Sequence, residues 1–577
     1  MKTLAGLTPV PGSHRNPLRN AKAAAKADPN QRMEVTVRVR SRAGADWGTH
    51  LLEMGMKPLN ERTYLTREEL AEQRGADPRD LAAVESFAHE HHLTVMEASI
   101  PKRAVRLSGT VKCFDRAFGV NLKNYFSKEV TYRGRTGHVY VPDKLAKVIE
   151  GVFGLDNRPL AGRRKSSIGR AADAKAETRR ASNTFSVTDV AKLYNFPPDV
   201  DGTGQCIALI ELNSADAQGT ITGTGYAASD LKTYFRKLGR PMPSVSAVGV
   251  AGGANKPGLN QGGDIETTLD IEVAGAAAPG ARIVAYFAPD TDAGFLEAVS
   301  AAVHDTLRRP SVISISWGSP EDNATEQFLK AMNEALQDAA ALGVTVCCEC
   351  GDHGSSDQPS ESRDGQLHVE FPASSPFALA CGGTELVASG ATIHSETVWN
   401  AGDQSGAGGG GVSNRFPRPK YQTSVTMPVS PQGKTGRGLP DVAGNAVGYR
   451  ITVFGKVMHL GGTSAVTPLC AGMIAVINQD LAAHKRNPVG MLTPLLYVSE
   501  TVREAFRDVT EGNNDIDGKL HKYKATRGWD PCTGMGSPDA TRLLMGLKAD
   551  TTPKPSRDRM LAKSAKSTRA RMKETRH

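Results

Sequence analysis

The chain has 577 residues, 39% hydrophobic and 23% charged. That composition excludes a wholly disordered or fibrous polymer, and the length exceeds one ordinary core. The formal charge of +9 gathers in two stretches poor in apolar residues, 160–182 and 548–577, and reads as solvated charge rather than a nucleic-acid face. No apolar run of about 18 residues is read, so no membrane-spanning helix is expected. The start, MKTLAGLTPVPGSHRNP, lacks the continuous apolar stretch of a secretory signal.

In chain order, MEVTVRVR (33–40) alternates apolar and polar residues and predicts a half-buried strand. Thr66 and Glu69 have capping-box spacing before a helix that ends at Gly75. Asp77-Pro78 opens a second helix carrying Leu81, Val84 and Phe87. Strands are predicted at 93–99 and 103–107, and a short helix at Val111–Phe118. This mixture predicts a compact α+β unit over 1–159, ferredoxin-like in its order of elements. A basic linker, 160–183, follows.

From about residue 184 the texture changes. QCIALIEL (205–212) is nearly all apolar, as a strand buried on both faces must be. A helix at 264–276, the strand ARIVAYFA, the helix GFLEAVSAAVHDTL, the strand SVISISWG, the helix ATEQFLKAMNEALQDAAALG and the strand VTVCCECGD succeed one another. Strand and helix in alternation predict a doubly wound parallel sheet over 184–547. In such sheets active sites gather at the carboxyl ends of the strands. In VTVCCEC, Cys348 and Cys350 share one face and Cys347 takes the other. No second ligand pair at zinc spacing accompanies them, so buried thiols are expected.

Three segments carry chemistry. In GGDIETTLDIEVAGAAAPG, Glu266 and Asp270 stand four apart, on one helix face with Cβ atoms about 5–6 Å apart. Like charges so placed on an apolar helix, with no Lys or Arg within a turn, suggest two carboxyls that share a proton. An exposed acidic face is the simpler alternative. In LGGTSAVTPLCAGMIAVINQ, Ser464 opens an apolar helix. It is either a cap or a nucleophile where the helix dipole favours developing negative charge. In CGDHG, Asp352 sits at a strand carboxyl end between Gly351 and Gly354, where an ordinary turn aspartate is also common.

Taken together with SISWG (Trp317), FPASSPFALACGGTEL (371–386), GGGGVSNRFP (408–417), GRGLPDVAGNA (436–446) and GWDPCTGMGSP (528–538), these segments resemble the sedolisin family of serine-carboxyl peptidases, in particular its kumamolisin branch. The resemblance runs from about residue 20 to 546. It implies a subtilisin-like catalytic domain behind an activation pro-domain, hence a zymogen of an endopeptidase acting on protein substrates at acid pH. It implies Ser464 as nucleophile, Glu266 as general base, Asp270 as the acid behind that base and Asp352 as oxyanion stabiliser. Glu211 and Trp317 match supporting hydrogen-bond partners. His353 replaces a serine usual at that place, and CCEC is unusual.

A glutamate in water titrates near about 4.3, and a base works best near its own pKa. Asp352 must carry a proton to donate to an oxyanion, so activity should fall as it ionises towards neutrality. The resemblance also implies one structural Ca2+ held by Asp508 and Asp530 with the carbonyls of Val509, Thr526 and Gly528. Asp and main-chain oxygens suit such a hard cation. EGNNDID (511–517) looks like a second calcium loop, but sequence order favours the first set. A monomer is expected, with its own pro-domain as a partner in cis and neither nucleic acid nor membrane. The processing bond is expected in 160–183, near Arg180–Asn183, and the workplace is extracellular by the same resemblance. The tail 548–577 is expected to be disordered. Two other readings stand beside this one. The first is an inactive relative that only binds proteins. The second is a hydrolase whose helix acids Asp264, Glu266, Asp270 and Glu272 bind a metal.

Overall fold

The computed structural model describes residues 6–44, 46–127, 130–161, 184–216 and 218–549. The expected processing stretch from 162 to 183 and the tail from 550 lie outside the described residues.

The N-terminal unit is a four-stranded antiparallel sheet in the order Thr94–Ser99, Ala104–Thr110, Arg32–Val39, Ile149–Phe153. The alternation of MEVTVRVR puts Val35 and Val37 into a separate core with Phe87, Phe114 and Phe118. Its helices start where the sequence places caps. Thr66 and Glu69 form the reciprocal capping box of Arg67–Arg74, and Asp77 caps Pro78–Glu90. The capping box satisfies two amide groups that would otherwise lack a partner.

The catalytic unit is built on an eight-stranded sheet. Numbered from Cys206 onward, its strands are β1 (Cys206–Asn213), β2 (Val245–Gly249), β3 (Arg282–Pro289), β4 (Val312–Ile315), β5 (Thr345–Glu349), β6 (Leu379–Ser389), β7 (Thr392–Val398) and β8 (Val442–Asn445). Their order is β2-β3-β1-β4-β5-β6-β7, with β8 also on β6. All pairings are parallel except β6–β7. Helices α1 (Gln261–Ala277), α2 (Asp292–Val303), α3 (Glu326–Ala341) and α4 (Thr463–Ala483) cover the two faces. Every residue of β1 is buried, as a strand between two helical layers requires. Strand alternation divides the cysteines as expected. Cys348 and Cys350 lie in the core beneath α2 and α3, and Cys347 lies with Cys381 and Cys470 beneath α4. All eight cysteines are free thiols, and all but Cys113 are buried.

Helix α4 is apolar and long enough to cross a membrane by length and composition, although no such run is read from the sequence. Its most apolar window is 83% buried within the protein, and Cys470 and Gly472 pack against the sheet and α1. It is a core helix, and the small polar residues at its start disguise its length.

The N-terminal sheet docks on the catalytic unit through α2 and α3. Arg103 reaches Glu334 at 3.0 Å, Arg74 pairs with Asp338, Arg38 meets Glu334 at 3.4 Å, and Arg15 meets Asp292 at 2.9 Å. The four arginines come from the N-terminal unit and the carboxylates from the catalytic one. Arg62 adds hydrogen bonds to the carbonyls of Val489 and Met491, both 2.9 Å.

Candidate active site

Helix α1 is buried from Gly263 to Ala277, so its acids must be housed by the protein. Asn260 caps it by accepting the Gly263 N–H. Asp264 takes the Gly225 and Gly258 amides at 2.8 and 2.7 Å, which ties the preceding loop to the first turn. Glu272, two turns on, accepts the Thr452 N–H at 2.8 Å, and burial pushes its carboxyl up to about 10. Between them Glu266 is 7% exposed and Asp270 fully buried. Asp264 and Glu272 are thus occupied by main-chain amides, and among the described residues no group of three or more His, Cys, Asp or Glu is arranged for a metal.

Two strand ends brace this pair of acids. After β4, the Ser316 hydroxyl donates to Asp270 Oδ1 at 2.9 Å and lies 3.4 Å from the carbonyl of Ser464. At the end of β1, Glu211 is completely buried. Its Oε2 accepts from Thr267 at 2.8 Å and from the Trp317 indole at 3.3 Å. Burial pushes the Glu211 carboxyl up to about 8; the two hydrogen bonds oppose the shift and the nearby Glu266 charge adds to it. Glu211 is therefore neutral in acid, close to Glu266.

Ser464 is the second residue of α4 and 2% exposed. The turn before it needs glycine. Gly462 has φ +123°, and a Cβ there would lie 2.6 Å from Asp352 Oδ2. Asp352, just beyond β5, takes the Thr463 N–H on Oδ1 at 2.8 Å, so this carboxyl sits over the start of α4 beside Ser464. Helices α1 and α4 approach so closely that a Cβ on Gly472 would stand 2.5 Å from that of Ala277. Ser464, Glu266, Asp270, Asp352, Glu211 and Trp317 thus converge at the carboxyl end of the parallel sheet. His353 accepts from the Ser356 hydroxyl through its carbonyl and bridges to Ala407. Thr267, Ser316, Thr463 and Glu349 belong to the same network and are not singled out by the sequence. Thr267, Ser316 and Thr463 each adjoin a residue that is, but adjacency alone does not mark them.

Near the C-terminus, Asp508 Oδ2 accepts the Gly528 N–H at 2.8 Å. Asp530, 1% exposed, accepts amides from Thr526, Cys532 and Thr533 at 3.1, 2.8 and 2.9 Å. Burial pushes the Asp530 carboxyl up to about 6. Both carboxylates face the 526–530 loop, where Gly528 has φ +80°. The EGNNDID loop instead closes on itself: Asp515 accepts from Leu520 and His521, and Asp517 pairs with Arg363 at 3.1 Å.

Comparison with known proteins places these features. Residues 19–158 match the family described as "Pro-kumamolisin, activation domain", and residues 245–512 the "Subtilase family". Kumamolisin of Bacillus sp. (strain MN-32) is 46% identical over 527 residues, covering 90% of this chain and 92% of that protein. Sedolisin of Pseudomonas sp. (strain 101) is 26% identical, covering 84% and 82%. Tripeptidyl-peptidase sed5 of Aspergillus fumigatus is 28% identical, covering 95% and 98%. The solved structure of Pseudomonas sedolisin, a serine-carboxyl proteinase complexed with two molecules of pseudo-iodotyrostatin, superposes with TM-score 0.54 at 26% identity, covering 64% of this chain and all of that one.

Proposed function

Because the chain belongs to the sedolisin–kumamolisin family of serine-carboxyl peptidases and carries its activation pro-domain, we propose that it is an acid-acting endopeptidase in which Ser464 is the nucleophile, Glu266 the base, Asp270 its supporting acid and Asp352 the oxyanion donor. Ser464 Oγ attacks the scissile carbonyl carbon while Glu266 takes its proton. The carbonyl oxygen becomes an oxyanion and accepts a hydrogen bond from protonated Asp352. Glu266 returns the proton to the departing amine, leaving an acyl-serine. Water then repeats the sequence, with Glu266 again the base. Asp270, held by Ser316, keeps Glu266 in register, and neutral Glu211 adds no second negative charge beside it.

The observation that carries this reading is the position of Asp352 over the turn that presents Ser464. Oδ1 of Asp352 serves the first amide of α4 as a cap would, while Oδ2 stands over Gly462 at the start of the helix, where an oxyanion donor belongs. The chemistry suits an acidic workplace outside the cell. Protein substrates and the pro-domain in cis are its partners.

The test is to incubate purified full-length chain at pH 3–5 and at pH 7, beside Ser464→Ala, and follow its size on a denaturing gel. Wild type should trim itself only in acid, and the variant should stay whole. If both stay whole while folded, the protein binds rather than cuts.

The residues at the C-terminal loop fit one calcium ion. Two carboxylates aim at one turn, and the carbonyls of Val509, Thr526 and Gly528 lie in the same segment. Bound there, the ion would cross-link the loop and take no part in peptide hydrolysis. Chelator should therefore lower the melting temperature of Ser464→Ala, and readdition of calcium should restore it. An unchanged melting temperature removes the ion from the account.

A further inference from the structure

Thr463 stands between two carboxyls. Its hydroxyl is 2.8 Å from Asp352 Oδ1 and also 2.8 Å from Glu349 Oε2, with the Gly351 carbonyl farther off at 3.2 Å. Glu349 ends β5, is 1% exposed, and takes the Gly351 N–H on the same oxygen at 3.0 Å. A hydroxyl has one hydrogen to give. It can satisfy one of these contacts as donor, and the other holds only if that carboxyl brings the proton.

The Gly351 carbonyl is the longer and weaker acceptor, and with the hydrogen given to one of the two nearer carboxyls two arrangements follow. In the first, Glu349 donates to Thr463 and Thr463 donates to Asp352 Oδ1. That oxygen then accepts both the N–H and the O–H of Thr463, and the proton of Asp352 resides on Oδ2, the oxygen over Gly462 at the start of α4. In the second, Thr463 donates to Glu349, and Asp352 donates inward from Oδ1. Asp352 is still protonated, but its hydrogen points away from the cleft.

Resting on the oxyanion role given to Asp352 above, we infer that Glu349 is a positioning residue that, in its neutral form and through Thr463, turns the proton of Asp352 towards the substrate. The active trio holds two carboxyl protons. When Glu349 releases one to solvent, the Thr463 hydrogen swings to Glu349, the remaining proton settles on Asp352 Oδ1, and the oxyanion donor is lost before Asp352 itself ionises. The loss is a single macroscopic ionisation that belongs to the pair. Other titratable groups face this pocket from every side. Asp357 and Glu370 flank Gly351, the buried Arg437–Asp441 pair abuts Ala380 on β6, and the Cys347 and Cys381 thiols lie on β5 and β6. The arginine is paired with its own aspartate.

The test is the pH dependence of kcat and KM for activated enzyme with a peptide substrate. Glu349→Ala removes the inward acceptor. Its alkaline limb should move up by about one pH unit, with KM unchanged. Glu349→Gln is closer in shape yet should be worse. Its amide oxygen must meet the Gly351 N–H, so it holds the Thr463 hydrogen permanently and fixes the inward arrangement; kcat should fall about tenfold or more across the acid range. A purely structural role predicts the reverse ranking. Thr463→Val, which cuts the link and keeps the Thr463 N–H, should move the limb as Glu349→Ala does, and it serves should the alanine variant fail to fold. An unmoved limb in these variants, or a glutamine variant as active as wild type, overturns the inference. Asp352→Ala separates the two levels. It should cost about 100–1000-fold; if it costs nothing, the oxyanion reading itself fails, and if only the Glu349 and Thr463 results fail, that reading survives alone.

Discussion

At the scale of single residues, burial raises several carboxyls in and around the site, Glu211, Asp264 and Glu272 among them. Glu211 makes this measurable. Its carboxyl is pushed up to about 8 in the folded chain, against about 4.3 in an unfolded one. A raised folded value means that its contribution to stability is complete below about pH 4 and is lost as pH rises through 8. The loss can reach about 1.4 kcal/mol per pH unit. Glu211→Gln, made in Ser464→Ala to prevent self-digestion, should lack this decline. Denaturant midpoints between pH 4 and 8 should converge on, then cross, those of the parent; parallel curves would mean that Glu211 is already ionised. The acids are legible in the sequence, because Glu266 and Asp270 at i, i+4 repel one another and an apolar helix rarely carries such a pair without a use for it. Their hydroxyl partners are not. Ser316, Thr267 and Thr463 are short polar residues of a kind that fills any turn or helix, and only three-dimensional placement distinguishes a brace from a bystander.

At the scale of elements, the proposed catalysis depends on how closely two helices lie. α1 carries Glu266 and Asp270, and α4 carries Ser464. Their contact at Gly472 and Ala277 has no room for a methyl group. Gly472→Val should wedge them apart. Overpacking of this kind costs about 1–3 kcal/mol, and a misplacement of about 1 Å at reacting groups costs about a hundredfold in rate. Residual activity should therefore fall far more than stability, as read by peptide hydrolysis beside thermal unfolding. Equal retention of activity would show that the helices adjust independently of their catalytic ends. The elements themselves are the most legible part of the sequence. Capping residues Thr66 and Asp77 mark helix starts, and apolar runs such as CIALIEL mark strands buried on both faces. The order of strands in the sheet is not legible, since β1 pairs with β3 and β4 rather than with its neighbour in sequence, a consequence of crossover connections that local pattern does not encode.

At the scale of the whole molecule, the two units meet through buried ion pairs and through apolar residues such as Leu51, Met54 and Phe153 that join the larger core. Arg103 is 1% exposed and contacts Glu334 at 3.0 Å, with Asp338 and Glu150 within 4 Å. Removing one partner of a buried pair strands the other, at a cost of about 3–5 kcal/mol. Arg103→Ala in the Ser464→Ala chain should lower the midpoint of unfolding accordingly, while a neighbouring exposed substitution such as Arg79→Ala should not. No change would mean that water reaches the seam and solvates the acids.

That seam also separates two events usually counted as one. Cutting the chain between its units breaks a covalent bond, but the arginines remain seated on α2 and α3. A nicked molecule would run as two bands under denaturing conditions and as one particle on a native sizing column. Cleavage and departure then have separate clocks.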